Sequence, residues 1–258
     1  MSILHAIILS ITEGLTEFLP ISSTGHMILA GKLLGIPSTE FVKSFEIIIQ
    51  LGAILAVVVL YTKTLLQRVS LWPKILVAFA PTAVLGFIFY KIVKQFLLGN
   101  TIVTVLALGI GGIAFLIIER LMRDKEFKTD SLEKISYKQS IIIGLTQSIS
   151  MIPGISRSAA SIFGAMATGI NRQSAVEFSF LLAIPTMVAA TGLDLMKNGL
   201  SFSSNDYQLL MVGFIGAFLT ALIAVKAFLR FIKSNTFVPF AWYRIILACL
   251  FAFFFLQE

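Results

Sequence analysis

"EGLTEFLPISSTGH" (13–26) breaks an apolar run with two glutamates, five hydroxyl or imidazole side chains and a proline. Proline and the Ser-Ser-Thr-Gly cluster argue against one unbroken helix through this stretch. A second interruption, "GLTQSISMIPGISRS" (144–158), repeats its opening Gly-Leu-Thr and its later Ile-Ser, allowing a short insertion. These two breaks decide the fold, because everything between and beyond them is long and apolar.

The 258 residues are 57% hydrophobic and 13% charged, with a mean hydropathy of +0.94, against about 25% charged in soluble domains. Six runs reach the ~20 residues that cross a bilayer core, at about 41–62, 75–94, 101–121, 174–196, 207–230 and 238–257. In lipid the backbone must bond within its own segment, so these are helices. The broken segments, about 5–35 and 138–170, read as re-entrant helix pairs, because irregular backbone at membrane depth is tolerated only when buried in protein or lining a cavity. The expected fold class is therefore an all-α integral membrane protein with six transmembrane helices plus two re-entrant helix pairs, arranged as an inverted-topology repeat. It forms a single membrane domain over 1–258, with halves at about 1–121 and 138–258 joined by a charged loop at 122–137.

The net charge of +7 points to membrane lipid rather than to nucleic acid, for which no motif is present. Lys63, Arg68 and Lys74, then Arg120, Arg123, Lys125, Lys128, Lys134 and Lys138, then Arg230 and Lys233 all fall on one side if the spans alternate. The positive-inside rule makes that side cytoplasmic. Lys91 and Lys94 dissent. The first break then enters from outside and the second from inside, as inverted repeats require. "FEIIIQLGAILA" (45–56) and "FSFLLAIPTMVAA" (178–190) echo each other faintly in the two halves. The lone Cys249 excludes an internal disulfide and a thiolate metal cluster. "MSILHAIILS" lacks the basic start and small-residue cleavage site of a removable signal peptide.

Glu13 and Glu17 are four residues apart and share one helix face. Two such carboxylates in a partly dry site call for a shared proton or a hard divalent cation with oxygen ligands. Ser22, Ser23, Thr24 and Gly25 lead to His26, a candidate general acid or base beside a candidate serine nucleophile. His5 has no such company. In the second break, Arg157 is the one charged residue between Gln139 and Asn171, and its fork of donors suits phosphate. Pro153 and Gly154 break the chain before it. The following helix aims an N-terminus at an anion, while Ser156, Ser158 and Ser161 add hydroxyls. A cation site and proton-transfer group on one side, with an anion cradle on the other, fit a lipid phosphate ester or anhydride.

At these two motifs the sequence resembles the undecaprenyl-diphosphate phosphatases of the bacitracin-resistance type, along essentially the whole chain. The family's acidic pair runs into a PISSTGH-like stretch, here "EGLTEFLPISSTGH", and its later PGxSRSxxT stands here as "PGISRSAAS" (153–161). Ser161 replaces the usual threonine, and Ala159 stands where relatives often carry glycine. The resemblance implies hydrolysis of undecaprenyl diphosphate to undecaprenyl phosphate and inorganic phosphate. That reaction recycles the lipid carrier for peptidoglycan and other envelope polymers, and underlies bacitracin resistance. The resemblance further implies a divalent cation, Mg²⁺ or Ca²⁺, a bacterial plasma-membrane site open to the outside, and a homodimer. By position it implies Glu13 and Glu17 as metal ligands, with Glu17, Ser23, His26 and Arg157 catalytic. It gives Ser156, Arg157 and Ser161 to phosphate binding, and the neighbouring Ser22, Thr24, Gly154 and Ser158 are read with them as substrate-binding residues. Either Ser23 or a metal-activated water attacks phosphorus. The competing reading is a polyprenyl-phosphate flippase or transporter using the same site, since inverted repeats with broken helices are common in transporters. A purely structural scaffold leaves the paired polar clusters without a purpose.

Overall fold

The computed structural model describes residues 1–93, 97, 100–123, 127–198 and 202–255. Lys94, Lys125 and the end of the sixth expected span lie outside them. The described residues hold α1 (Ile3–Thr16), α2 (Ser23–Leu33), α3 (Glu40–Leu60), α4 (Thr62–Gln67), α5 (Leu71–Ile92) and α6 (Thr101–Met122). There follow α7 (Tyr137–Ser148), α8 (Arg157–Ala167), α9 (Arg172–Asn198), α10 (Ser204–Ile232) and α11 (Val238–Phe255). No strand occurs among the described residues beyond a single parallel bridge between Thr129 and Ile170.

Local chemistry sets the helix starts. Ser2 and His5 form a reciprocal capping box at α1, which gives His5 a structural task. Ser136 with Gln139 does the same at α7, and Ser203 with Asp206 at α10. The last of these moves the start of α10 ahead of the expected span, to Ser204. Thr39 and Asn100 cap α3 and α6. The chain is a multi-pass membrane protein, with five helices long and apolar enough to cross a bilayer: α3, α5, α6, α9 and α10. The sixth expected span is α11, 18 residues in all and about 27 Å long at 1.5 Å per residue. Leucine, isoleucine and phenylalanine side chains such as Phe87, Ile110 and Ile223 form an exposed apolar belt, the surface that lipid tails cover.

Glycine lets the short broken helices lie close to long ones. α1 packs on α10, and α7 packs on α5. A Cβ on Gly14 would meet the Ala217 carbonyl at 2.6 Å, with the Thr220 hydroxyl closer still. A Cβ on Gly144 would run into the Ala78 carbonyl. Backbone approach of this kind suits helix pairs in lipid, where small residues replace the hydrophobic driving force. Between the halves, Phe18, Phe178, Phe180, Phe228 and Phe237 join one buried cluster, with Phe18 and Phe180 edge to face at 5.2 Å.

The basic loops gather on one face. Arg68 pairs with Glu133, and the Lys74 ammonium donates to the Glu133 carbonyl at 2.5 Å. Arg172 forms an ion pair with Glu119 at 2.8 Å, and a shallow concavity there is lined by Phe127, Asn171, Lys233 and Asn235.

Gly144→Val is expected to destabilise the protein by about 1–3 kcal/mol through overpacking, read as a lowered thermal midpoint in detergent. Gly31→Ala, whose added methyl meets nothing within 4 Å, is expected to stay within about 0.5 kcal/mol of the parent.

Candidate active site

Each break has the same local build. α2 starts at Ser23 after the N-cap Ser22, and α8 starts at Arg157 after the N-cap Ser156. These serines are the non-glycine residues with positive φ among those described, at 72° and 79°. Such backbone costs about 1–3 kcal/mol each. Each hydroxyl accepts the N–H three residues on, Gly25 to Ser22 at 3.3 Å and Ala159 to Ser156 at 3.2 Å. The sharp turn brings the first residue of each helix back beside the end of α1.

The two first residues meet at one carboxylate. Ser23 Oγ donates to Glu17 Oε2 at 2.5 Å. Arg157 donates from Nε and Nη2 to Glu17 Oε1, both at 3.2 Å. Its Nη1 donates to the Ser179 carbonyl at 2.9 Å, and the Phe18 ring lies 5.9 Å from its Cζ. Glu17, Ser23 and Arg157 are all buried. Two helix N-termini, with their positive dipole ends, therefore converge on a carboxylate that occupies the place of an anion. A phosphate oxygen has the same charge and the same demand for donors.

Glu13 lies one turn earlier, since the Glu17 N–H donates to the Glu13 carbonyl at 2.9 Å. Its side chain is fully buried, and neither carboxylate oxygen has a hydrogen-bond partner among the described residues. An ionised carboxylate in that condition costs several kcal/mol, and a cation would relieve it. No cluster of three or more acidic, histidine or cysteine side chains suited to a metal occurs among the described residues. Glu13 and Glu17 are the carboxylates here that could hold one, with Glu17 already bonded to Ser23 and Arg157.

His26 lies one turn along α2, but its imidazole is engaged elsewhere than on the serine. Nδ1 meets the Ser22 carbonyl at 2.7 Å and Nε2 meets the Tyr243 hydroxyl at 2.7 Å. A carbonyl only accepts, so Nδ1 carries the proton, and in the neutral ring Nε2 accepts from tyrosine. The two rings are parallel, with centroids 5.6 Å apart. The expected Ser23–His26 pair is thus replaced by a Ser23–Glu17 pair, because the positive-φ turn at Ser22 aims the first hydroxyl of α2 at α1.

The remaining expected donors divide. Gly154 has φ +97° and no room for a Cβ, with the Thr104 carbonyl in the way. Ser158 Oγ donates to the Phe18 carbonyl at 2.8 Å. Ser161 bonds the Arg157 and Ser158 carbonyls and the Ser179 hydroxyl. Both serines fasten α8 to its neighbours in this state. Ser22 and Ser156 are caps, and Thr24 is half-buried in the first turn of α2. Sequence reading missed Ser179, Tyr243 and Arg244. The signal for Arg244 was available, as a charged residue deep in the last apolar run.

A buried site of two carboxylates and one arginine thus stands where the two broken segments meet, in an all-helical membrane protein. Residues 6–250 match the family described as "Bacitracin resistance protein BacA", and the chain belongs to that family. It is 54% identical over 254 residues to the undecaprenyl-diphosphatase of Wolinella succinogenes, covering 98% of each chain. It is 50% identical over 252 residues to that of Aquifex aeolicus, again covering 98% of each. For the Persephonella marina protein of the same name the identity is 48%, over 98% of this chain and 99% of that one.

With His5 the sole other histidine, imidazole ¹⁵N spectra can resolve His26. Tyr243→Phe is expected to leave the Nδ1 proton in place and shift the Nε2 resonance. An unchanged Nε2 signal would refute the tyrosine bond.

Proposed function

We propose that this chain hydrolyses undecaprenyl diphosphate to undecaprenyl phosphate and inorganic phosphate, and so recycles the carrier lipid of cell-envelope synthesis and confers resistance to bacitracin. The observation that carries the proposal is Glu17 holding Ser23 by one oxygen and Arg157 by the other, in a chain aligned end to end with undecaprenyl-diphosphatases.

In the proposed reaction the terminal phosphoryl group of the lipid displaces the Glu17 carboxylate from Arg157 and from the helix N-termini. Ser23 Oγ attacks the terminal phosphorus as Glu17 takes the hydroxyl proton. The Oγ–P bond forms and the bridging P–O bond breaks, releasing undecaprenyl phosphate. Water then cleaves the phosphoserine and restores the serine, giving inorganic phosphate. Arg157 holds the charge that develops on the phosphoryl oxygens. His26, with Tyr243 behind it, stands one helical turn from Ser23 to serve the proton transfers. Ser22, Thr24, Gly154, Ser156, Ser158 and Ser161 border the phosphate in this proposal, with Ser158 and Ser161 exchanging their Phe18 and Ser179 partners for its oxygens. Glu13 and Glu17 would hold a divalent cation, Mg²⁺ or Ca²⁺, which when bound neutralises phosphate oxygens. Charge supports it: Glu13 and Glu17 face the single guanidinium of Arg157, so an incoming diphosphate needs further positive charge there. A serine already bonded to a base is superfluous in a flippase, and it favours hydrolysis over transport.

The finer architecture belongs to the same proposal: six spans, two re-entrant pairs, an inverted repeat and a site open to the outside of the plasma membrane, in a homodimer. Four pairings support the repeat. α1 meets α10 as α7 meets α5, α10 meets α3 as α5 meets α9, α1 packs on α2 as α7 on α8, and Gly14 and Gly144 make the same close approach. The short helices α1, α2, α7 and α8, of 14, 11, 12 and 11 residues, fall short of the ~30 Å core at ~1.5 Å per residue. The gathered basic loops support a cytoplasmic face opposite the first break.

Purified protein in detergent is expected to release phosphate from undecaprenyl diphosphate, to stop in a strong chelator, and to recover with Mg²⁺ or Ca²⁺. Full activity in chelator would remove the metal from the proposal. Arg157→Lys keeps the charge but loses the fork, and is expected to lower turnover by about 10²–10³-fold. Ser23→Ala is expected to abolish an acid-stable phosphoserine trapped by rapid quench. Wild-type turnover in that variant would make water the attacker.

A further inference from the structure

Arg244 of α11 is fully buried, and every one of its donors ends on a backbone carbonyl. Nη1 donates to Pro20 at 3.3 Å and Ile155 at 2.8 Å. Nη2 donates to Gly154 at 2.7 Å and Ala107 at 3.1 Å, and Nε to Leu108 at 3.4 Å. The Phe115 ring covers the guanidinium, 4.8 Å from Cζ. Arginine has five donor hydrogens, so none remains for a substrate.

The choice of carbonyls is informative. Pro20 lies two residues before the cap Ser22 and three before Ser23. Gly154 lies two before the cap Ser156 and three before Arg157. One guanidinium therefore grips the corresponding carbonyl of each break, with α6 as the third anchor. α6 makes room for it at Gly111, where a Cβ would strike Nη2. The neighbouring Tyr243 reaches His26, so two consecutive residues of the last helix both end at the first break.

We propose that Arg244 is the positioning residue of this site, pinning the two breaks to each other so that Ser23 and Arg157 meet one anion. It acts on the reacting groups only through the backbone of the breaks. Removing the fork leaves each cap formed but frees one break to shift against the other. Misplacement of reacting groups by about 1 Å costs roughly 10²-fold in rate. The turnover part rests on the proposed hydrolysis, and the backbone part does not.

The test uses three variants of the full chain in detergent. Arg244→Lys removes the fork but keeps a cation. Gly111→Ala keeps the arginine but puts a methyl where Nη2 lies. Gly109→Ala adds a methyl to the same helix that makes only ordinary contact with Ala248 at 3.5 Å. Kinetics of phosphate release and amide hydrogen exchange of peptides covering 18–26 and 152–160 are measured on each, at equal folded concentration by thermal unfolding. Arg244→Lys and Gly111→Ala are expected to lose about 10²-fold in kcat with KM nearly unchanged. Both breaks are expected to exchange faster together, by roughly tenfold, while Gly109→Ala behaves as wild type. If Arg244→Lys does not fold, Gly111→Ala decides. Wild-type exchange at both breaks, or acceleration at one break alone, would overturn the proposal, as would loss of kcat in Gly109→Ala equal to that in Gly111→Ala. If the wild-type protein releases no phosphate, the hydrolysis reading falls, and the exchange measurement still decides on Arg244.

Discussion

The carboxylate of Glu17 is the point on which the site is built. Burying a carboxylate and a guanidinium costs several kcal/mol for each ion, and close pairing with further hydrogen bonds offsets it. Here one oxygen takes two Arg157 donors, the other takes the Ser23 hydroxyl, and a third Arg157 donor finds the Ser179 carbonyl. Deleting either ion would leave the other buried and unpaired, a loss of about 3–5 kcal/mol. Glu13, one turn away, has none of this support. The two carboxylates of the first motif are chemically alike and electrostatically opposite in situation. One is held on both oxygens, and the other has no hydrogen-bond partner among the described residues.

Backbone geometry repeats between the breaks while side chains do not. A serine cap at positive φ, a helix starting at the next residue and a glycine-to-carbonyl approach one helix earlier occur twice. The position after the cap holds a hydroxyl in one break and a guanidinium in the other. Glu17 itself corresponds to Gln147, which bonds the hydroxyls of Thr82 and Thr186 instead of an arginine. The shared turn supplies two helix N-termini, and the divergent residues place a hydroxyl on one side of Glu17 and a guanidinium on the other.

Much of this was readable from sequence because it is local. Pro20 and Pro153-Gly154 mark the breaks, and Arg157 stands out as the one charge in an uncharged stretch. The helices expected between the breaks are present because hydropathy over ~20 residues is a strong signal. What could not be read depends on where turns aim side chains. Ser23 and His26 look like a pair because they are three apart. A 72° φ at Ser22 sends the hydroxyl to Glu17 and the imidazole to Tyr243. Ser158 and Ser161 looked like free donors, and tertiary packing gives them Phe18 and Ser179 as partners. Arg244 bonds Pro20 across 224 residues, beyond the reach of any local pattern.

Those separations have a consequence for synthesis. During synthesis the arginine that pairs with Glu17 follows it by 140 residues. At about 5–20 residues per second, the interval is on the order of ten seconds. Throughout it the Glu17 carboxylate lacks the guanidinium that pairs with it in the folded protein, so the first break cannot close its ion pair until the second break has been made. Arg244, which bonds a carbonyl of each break, comes later still, and the contacts that join the two breaks are therefore completed late in synthesis.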